Sequence, residues 1–121
     1  MNTKFNETEK KLTENYSSPS TASEGVKVQR RVSLITIEYC PKCRWMLRAA
    51  YMAQELLTTF EDDLQGVLLK PSDLSGRYII SVNDQKIFDR KEAGRFPEIK
   101  ELKQLVRDLV NPGKSLGHSD N

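Results

Sequence analysis

The sequence predicts an α/β protein, a two-layer sandwich with both helices on one face of a four-stranded sheet. Two observations support this prediction. Apolar runs and helical periodicities follow one another in the order β-α-β-β-β-α over residues 30–121. A helix also connects the first two strands, and such a βαβ unit makes them parallel with a right-handed crossover. The chain of 121 residues has the length of one domain.

The first strand and the first helix are predicted from the spacing of apolar residues. The strand runs from Arg31 to Glu38 and is rich in β-branched side chains, which is typical of a buried strand. Helical periodicity runs from Trp45 to Phe60, and Pro41 suits the first turn of this helix. The apolar arc of the helix is Met46, Ala49, Ala50, Ala53, Leu56, Leu57 and Phe60.

Three further strands follow. Val67–Leu69 is a short apolar run that predicts the second strand, and residues 71–76 predict a turn-rich connection. The alternation in Tyr78–Val82 predicts the third strand. Asn83-Asp84-Gln85 supplies turn residues, so Lys86–Phe88 is expected to return as the second strand of an antiparallel hairpin.

The last helix is predicted to follow a charged loop at residues 90–95. It opens at Pro97 and ends at Asn111-Pro112-Gly113. Its expected buried stripe is Ile99, Leu102, Leu105, Val106, Leu109 and Val110. Residues 1–29 are rich in Ser and Thr with almost no aliphatic residues, which predicts a disordered N-terminal tail before the folded domain of residues 30–121.

Composition disfavours several classes of function. The net charge of +2 is too small to indicate nucleic-acid binding by itself. No apolar run approaches the ~18 residues that a membrane span needs, and the N-terminus lacks the apolar centre of a secretion signal. We therefore expect a cytoplasmic protein whose partners are neither nucleic acids nor membranes.

Both cysteines lie in one Cys-x-x-Cys motif, Cys40-Pro41-Lys42-Cys43, at the junction of the first strand and the first helix. This pattern indicates a dithiol redox site in a cytosolic chain. One thiolate can attack while the second thiol lies close enough to resolve the mixed disulfide. The backbone N–H groups at a helix start would favour the thiolate by lowering a cysteine pKa.

Metal binding and an incidental pair of cysteines are the alternatives. A structural zinc site commonly takes four ligands from two such pairs, and the sequence has no second pair. His118, the only histidine, lies in a polar tail, which also disfavours Cys-His catalysis. We expect neither a metal nor a cofactor in a monomer, although two chains could share one ion through four thiolates.

Basic residues surround the motif. Lys42, Arg44 and Arg48 fall in the predicted first turns of the helix, where positive side chains oppose the helix dipole. They could stabilise a thiolate or attract an acidic thiol such as glutathione, or they could simply be solvated. Trp45 could be a hydrophobic shelf for a partner, but a core position is preferred.

Several spaced segments carry a resemblance to a known family. They are Glu38–Ala50, Ile87–Lys91, Gly94, Phe96-Pro97, Lys100, Leu102-Lys103, Val106–Asp108 and Leu116–Asp120. Over roughly residues 31–120 the chain resembles the Rdx family, the selenoprotein W-like proteins, in a cysteine-containing form. The resemblance implies a thioredoxin-like fold and a thiol redox role with glutathione as a partner. Relatives often have Gly-Gly before Phe-Pro where this chain has Gly94-Arg95, so this loop is expected to differ.

The resemblance and the general logic of thioredoxins disagree about the attacking sulfur. Selenium-containing relatives carry selenocysteine at the second motif position, which corresponds to Cys43. Thioredoxin logic instead makes Cys40 the nucleophile, so both residues are assigned to the redox centre and their order stays open. The leading hypothesis is a small thiol-disulfide redox protein in cell redox homeostasis, acting on glutathione or protein thiols. The alternative is a non-enzymatic interaction module that is switched by cysteine oxidation.

Overall fold

The computed structural model describes residues 31–117. They form a four-stranded sheet with the strand order β2-β1-β3-β4, together with three helices. The elements are β1 Ser33–Tyr39, α1 Met46–Thr59, β2 Leu64–Pro71, β3 Tyr78–Val82, β4 Gln85–Asp89, α2 Arg90–Ala93 and α3 Ile99–Val110. The predicted tail of residues 1–29 and His118 lie outside the described residues.

Strand β1 lies inside the sheet and sets its register. It runs parallel to β2, with Ile35 opposite Val67, and antiparallel to β3, with Ile37 opposite Ile80. Strands β3 and β4 form an antiparallel hairpin through Asn83 and Asp84, whose φ angles of 48° and 70° lie in the left-handed region. A two-residue hairpin turn needs this conformation, and Asn and Asp tolerate it. The predicted order of strands and the parallel βαβ unit are confirmed.

The core lies on one face of the sheet. Side chains alternate along β1, so Ile35 and Ile37 are 0% exposed while Leu34 is 39% exposed on the other face. Leu56 of α1 and Leu102 of α3 belong to the same apolar cluster and are also fully buried. Both long helices therefore cover the same face of the sheet, which confirms the two-layer α/β sandwich.

The buried faces of the two long helices are narrower than expected. Met46 and Leu57 of the predicted arc are 45% and 40% exposed, whereas Met52, which lay outside that arc, is buried. On α3, Leu105 and Leu109 of the predicted stripe are 37% and 44% exposed. A helix that packs on one side against a sheet buries only part of its apolar surface, and the marginal positions of a broad stripe stay in solvent.

Several element boundaries were wrong. β1 ends at Tyr39 rather than Glu38, and Pro71 is the last residue of β2 instead of part of the following turn. α1 begins only at Met46, so Pro41 precedes the helix. α3 begins at Ile99, after a capping box rather than at the proline itself.

The predicted charged loop at residues 90–95 contains the short helix α2. The Asp89 carboxylate caps this helix by accepting a hydrogen bond from the Lys91 backbone N–H at 2.9 Å. Gly94 ends it in the left-handed region with a φ of 73°. Arg95 follows Gly94 and donates to both carboxylate oxygens of Glu101 at 2.6 and 2.9 Å. These hydrogen bonds attach the loop to α3.

Candidate redox site

A disulfide joins Cys40 and Cys43 in a tight turn between β1 and α1, with their Cα atoms 5.3 Å apart. Two backbone hydrogen bonds close the turn. The Arg44 N–H donates to the Pro41 carbonyl at 3.0 Å, and the Trp45 N–H donates to the Cys40 carbonyl at 3.4 Å. Arg44 itself has a φ of 61°. This is the Schellman arrangement that ordinarily ends a helix, and here it closes the disulfide loop ahead of one.

The sulfur contacts differ from those expected at a helix start. Lys42 and Arg44 lie in the turn before α1, and only Arg48 is in the first turns of the helix. The predicted position of the motif in the first turn was therefore wrong. The N–H group that contacts a sulfur belongs to the loop itself, because Cys43 N–H donates to Cys40 Sγ at 3.2 Å.

The two cysteines differ in their access to solvent. Cys40 follows the buried end of β1 and is 1% exposed, while Cys43 is partly exposed. β1 is held at this end by Ser72, whose N–H donates to the Tyr39 carbonyl at 2.8 Å. An incoming sulfur therefore meets Cys43 before it meets Cys40.

Three aromatic rings pack edge to face beside the loop. The ring centroids of Trp45 and Phe96 are 4.9 Å apart, those of Tyr78 and Phe96 are 5.2 Å apart, and those of Trp45 and Tyr78 are 6.3 Å apart. Trp45 packs against the core, as preferred from the sequence, while part of its surface stays exposed.

Comparison with known proteins identifies the family of this chain. The model of the Rdx family matches residues 34–108, which is more than half of the chain. The chain belongs to the Rdx family. Among curated proteins, none matches it.

Two solved structures resemble this Rdx protein closely. A selenoprotein W-related protein from Vibrio cholerae is 49% identical with a TM-score of 0.63, and the match covers 65% of this chain and 98% of that one. A protein from Bordetella parapertussis is 50% identical with a TM-score of 0.62, covering 64% of this chain and 98% of that one. The similarity to the selenoprotein W-related structure confirms the expected thioredoxin-like fold of the Rdx protein.

Two arginines cover the aromatic rings of the Rdx protein. The Arg48 guanidinium lies 4.1 Å from the centroid of Phe96. The Arg90 guanidinium lies 4.7 Å from the centroids of both Trp45 and Phe96. Such cation–π contacts hold a charge over a ring face without neutralising it. Among residues 31–117, neither arginine has a carboxylate within ion-pair distance.

The sequence indicated only part of this site. It singled out Arg48 and Trp45, which the structure brings together around Phe96, and it missed Arg90, Phe96 and Tyr78. The only signal for Arg90 and Phe96 was their place in segments that carry the family resemblance. Lys42 and Arg44 are exposed and contribute positive charge around the loop rather than contacts to the rings.

The described residues give no support to a metal centre or a membrane span. Within residues 31–117, no three His, Cys, Asp or Glu side chains gather closely enough to hold a metal ion. No helix in that part of the chain has both the length and the apolar character needed to cross a bilayer.

Tyr78 has a buried hydroxyl group without a hydrogen-bond partner. Burial raises its pKa to about 12, although the nearby positive charge of Arg48 acts in the opposite direction. The unfolded chain releases the tyrosine proton near pH 10, while the folded protein retains it to a higher pH. The contribution of protonated Tyr78 to the free energy of unfolding is therefore fully present below pH 10, and it is lost as the pH rises through 12.

The free energy of unfolding of the Rdx protein is therefore expected to fall as the pH rises from 10 to 12 and above, by up to about 3 kcal/mol from this tyrosine. The measurement is urea unfolding of the native protein and of Tyr78→Phe at a series of alkaline pH values. Since other groups titrate in both proteins, the difference between them isolates Tyr78. Parallel pH profiles would contradict the assignment.

Arg44 occupies a backbone conformation that favours glycine. A side chain in the left-handed region costs about 1 kcal/mol or more. Arg44→Gly is therefore expected to stabilise the oxidised Rdx protein by about 1 kcal/mol relative to Arg44→Ala. Both variants lose the same charge, and only the first removes the Cβ atom. Equal midpoints of urea unfolding for the two variants would contradict this expectation.

Proposed function

We propose that this Rdx protein is a cytoplasmic thiol–disulfide oxidoreductase that cycles Cys40 and Cys43 between disulfide and dithiol. Its proposed partners are glutathione or protein thiols, in the maintenance of cell redox balance. One observation carries the proposal, namely that the Cys40–Cys43 disulfide has one buried and one partly exposed member. That asymmetry suits an exchange in which the substrate sulfur attacks Cys43 and Cys40 leaves as a thiolate, and in which Cys40 resolves the mixed disulfide when the reaction runs in reverse.

The proposed reaction begins when a substrate thiolate attacks Cys43 Sγ. A mixed disulfide forms, the Cys40–Cys43 bond breaks, and its electron pair leaves on Cys40. The Cys43 N–H, which lies 3.2 Å from Cys40 Sγ, can stabilise this thiolate. A second substrate thiolate attacks the substrate sulfur of the mixed disulfide and releases Cys43 as a thiolate. Two substrate thiols are thereby oxidised to one disulfide, and the protein gains two electrons and two protons from them.

The basic residues around the loop have an electrostatic role in this proposal. Lys42 and Arg44 are exposed beside the two cysteines, and Arg48 follows in the first turns of α1. The first turn of this helix has no acidic side chain. Positive potential at the loop would raise the local concentration of anionic thiolates and favour the thiolate forms of the cysteines.

The deciding experiment is equilibration of the protein in glutathione redox buffers, with the dithiol and disulfide forms separated by mass after alkylation. A reversible transition with a defined midpoint is expected for the native protein, and no transition is expected for the Cys40→Ser/Cys43→Ser variant. A native protein that forms no intramolecular disulfide, with both cysteine pKa values near ~8.5, would refute the proposal.

A second candidate function is binding of a protein partner under the control of cysteine oxidation. It is favoured by exposed apolar side chains at the start of α1, where Leu47 is 83% exposed and Tyr51 is 50% exposed. Exposed apolar patches beside a switchable loop suit a partner interface. Pull-downs with reduced protein, oxidised protein and both Cys→Ser variants would test it, and identical partners in all samples would exclude the switch.

A further inference from the structure

Arg48 and Arg90 are two like charges that share one aromatic ring. Both guanidinium groups lie over Phe96, at 4.1 and 4.7 Å from its centroid, so two positive charges are held on the same ring. Two basic residues nearby are paired, since Lys86 contacts Glu92 and Arg95 contacts Glu101, whereas in the described part of the chain the exposed Lys91 is not. Arg48 and Arg90 have no such carboxylate among residues 31–117. Two positive charges on one ring repel each other, and a bound anion would offset this repulsion.

The same cluster contains two donors without acceptors. The Tyr78 hydroxyl and Arg90 Nε are both buried and make no hydrogen bond. Buried donors without partners are uncommon, because each one loses its hydration without compensation. The pKa of about 12 keeps the Tyr78 hydroxyl protonated at any physiological pH, so it can serve as a donor. An oxyanion held by the two guanidinium groups would offset both positive charges and supply an acceptor to the Arg90 side chain.

This cluster lies beside the disulfide loop. Trp45 follows Cys43 in the same closed turn, and its ring contacts both Arg90 and Phe96. The planar guanidinium group matches the geometry of a carboxylate, with two parallel N–H donors for its two oxygens. A molecule whose anionic group is held here would lie beside the loop that carries the partly exposed Cys43.

We propose that Arg48 and Arg90, held on the Phe96 ring, bind the carboxylate of a small anionic thiol whose sulfur reacts at Cys43. This inference rests on the proposed redox function and assigns the residues that bind the carboxylate of such a substrate. It gives a role in substrate selection to Arg90 and Phe96, which the sequence marked only through the family resemblance. Phe96 acts as a positioning residue for the two arginines.

The test compares the rates at which two small thiols reduce the oxidised protein. Mercaptopropionate carries a carboxylate, and mercaptoethanol is its neutral counterpart. Trp45, the single tryptophan of the chain, reports the reaction by its fluorescence. Arg90→Gln and Arg48→Gln are each expected to lower the rate of reduction by mercaptopropionate about three- to tenfold. The rate of reduction by mercaptoethanol should fall by less than about twofold. Added salt should reduce the rate with mercaptopropionate only.

Two further variants control the comparison. Lys91 is exposed, lies next to Arg90 in the sequence and makes no ring contact within residues 31–117. Lys91→Gln removes one positive charge and is expected to keep the native ratio of the rates with mercaptopropionate and mercaptoethanol. Arg90→Lys keeps the charge but loses the guanidinium fork, so its preference for mercaptopropionate should be intermediate. Circular dichroism of each variant before assay confirms folding, and Arg48 is exposed enough for substitution with little effect on stability.

An unreactive probe separates this inference from the redox function. Methylthiopropionate has the carboxylate but no thiol, and its binding can be titrated by Trp45 fluorescence and by the NMR signals of the arginine Nε–H groups. Binding by the native protein and its loss in Arg90→Gln are expected even if no thiol reduces the disulfide. Both thiols could reduce the disulfide while the ratio of their rates is the same in every variant as in the native protein, and the probe could fail to bind. That result would refute the carboxylate site and leave the redox function standing.

Discussion

Trapping of mixed disulfides is expected to give opposite results for the two single cysteine variants. Cys40→Ser keeps the partly exposed Cys43, which can attack a substrate disulfide but has no partner to resolve the product. Cys43→Ser keeps only Cys40, which is 1% exposed at the end of β1. Cys40→Ser should therefore accumulate roughly tenfold or more mixed disulfide than Cys43→Ser, because access limits thiol exchange. Neither variant should retain redox cycling.

The measurement is the fraction of each variant that carries a disulfide adduct after incubation with oxidised glutathione, read by mass spectrometry. Incubation of both variants in denaturant is the control, since unfolding exposes both cysteines and should abolish the difference. Greater accumulation on Cys43→Ser in the folded state would make Cys40 the attacking sulfur, as general thioredoxin logic predicts. It would also mean that the loop opens before reaction, because Cys40 is closed off by the turn that joins it to Trp45.

The architecture could be predicted from the sequence because it depends on local patterns. The alternation in β1 and β3 placed every second side chain on one face, and the structure buries Ile35, Ile37 and Ile80 accordingly. Asn83-Asp84 could be predicted as a turn because few residues tolerate two left-handed conformations in succession. The helix between β1 and β2 then required parallel strands and gave the handedness of the connection.

The start of α1 and most of the site could not be predicted in this way. Arg44 adopts the left-handed conformation where a helical turn was expected, because the two hydrogen bonds of the disulfide loop hold it there. Residue type alone does not indicate such a conformation in an arginine. Arg90 and Phe96 lie far along the chain from Trp45, and their contacts depend on how α2 and the loop after it pack. Cation–π pairs have no sequence spacing by which they could be recognised.

Two leucines of α3 that look equivalent in the sequence are expected to contribute very differently to the free energy of unfolding. Leu102 and Leu105 were both assigned to the buried stripe, but the structure leaves the first 0% and the second 37% exposed. Leu102→Ala should lower the free energy of unfolding by about 3 kcal/mol, since it removes apolar contacts and leaves a cavity between α3 and the sheet. Leu105→Ala should cost less than about 1 kcal/mol, since solvent can fill the space it vacates.

Thermal and urea unfolding of the oxidised proteins would measure both effects, with an expected fall in Tm of the order of 10–20 °C for Leu102→Ala and a few degrees for Leu105→Ala. Both substitutions are the same chemical change in the same helix, so helix propensity cancels between them. Equal losses of unfolding free energy in the two variants would mean that α3 buries Leu105 as fully as Leu102, in contradiction to the structure. Because both variants keep the disulfide loop and its arginines unchanged, native rates of thiol exchange in folded Leu102→Ala would also show that the redox site depends on β1 and α1, not on tight packing beneath α3.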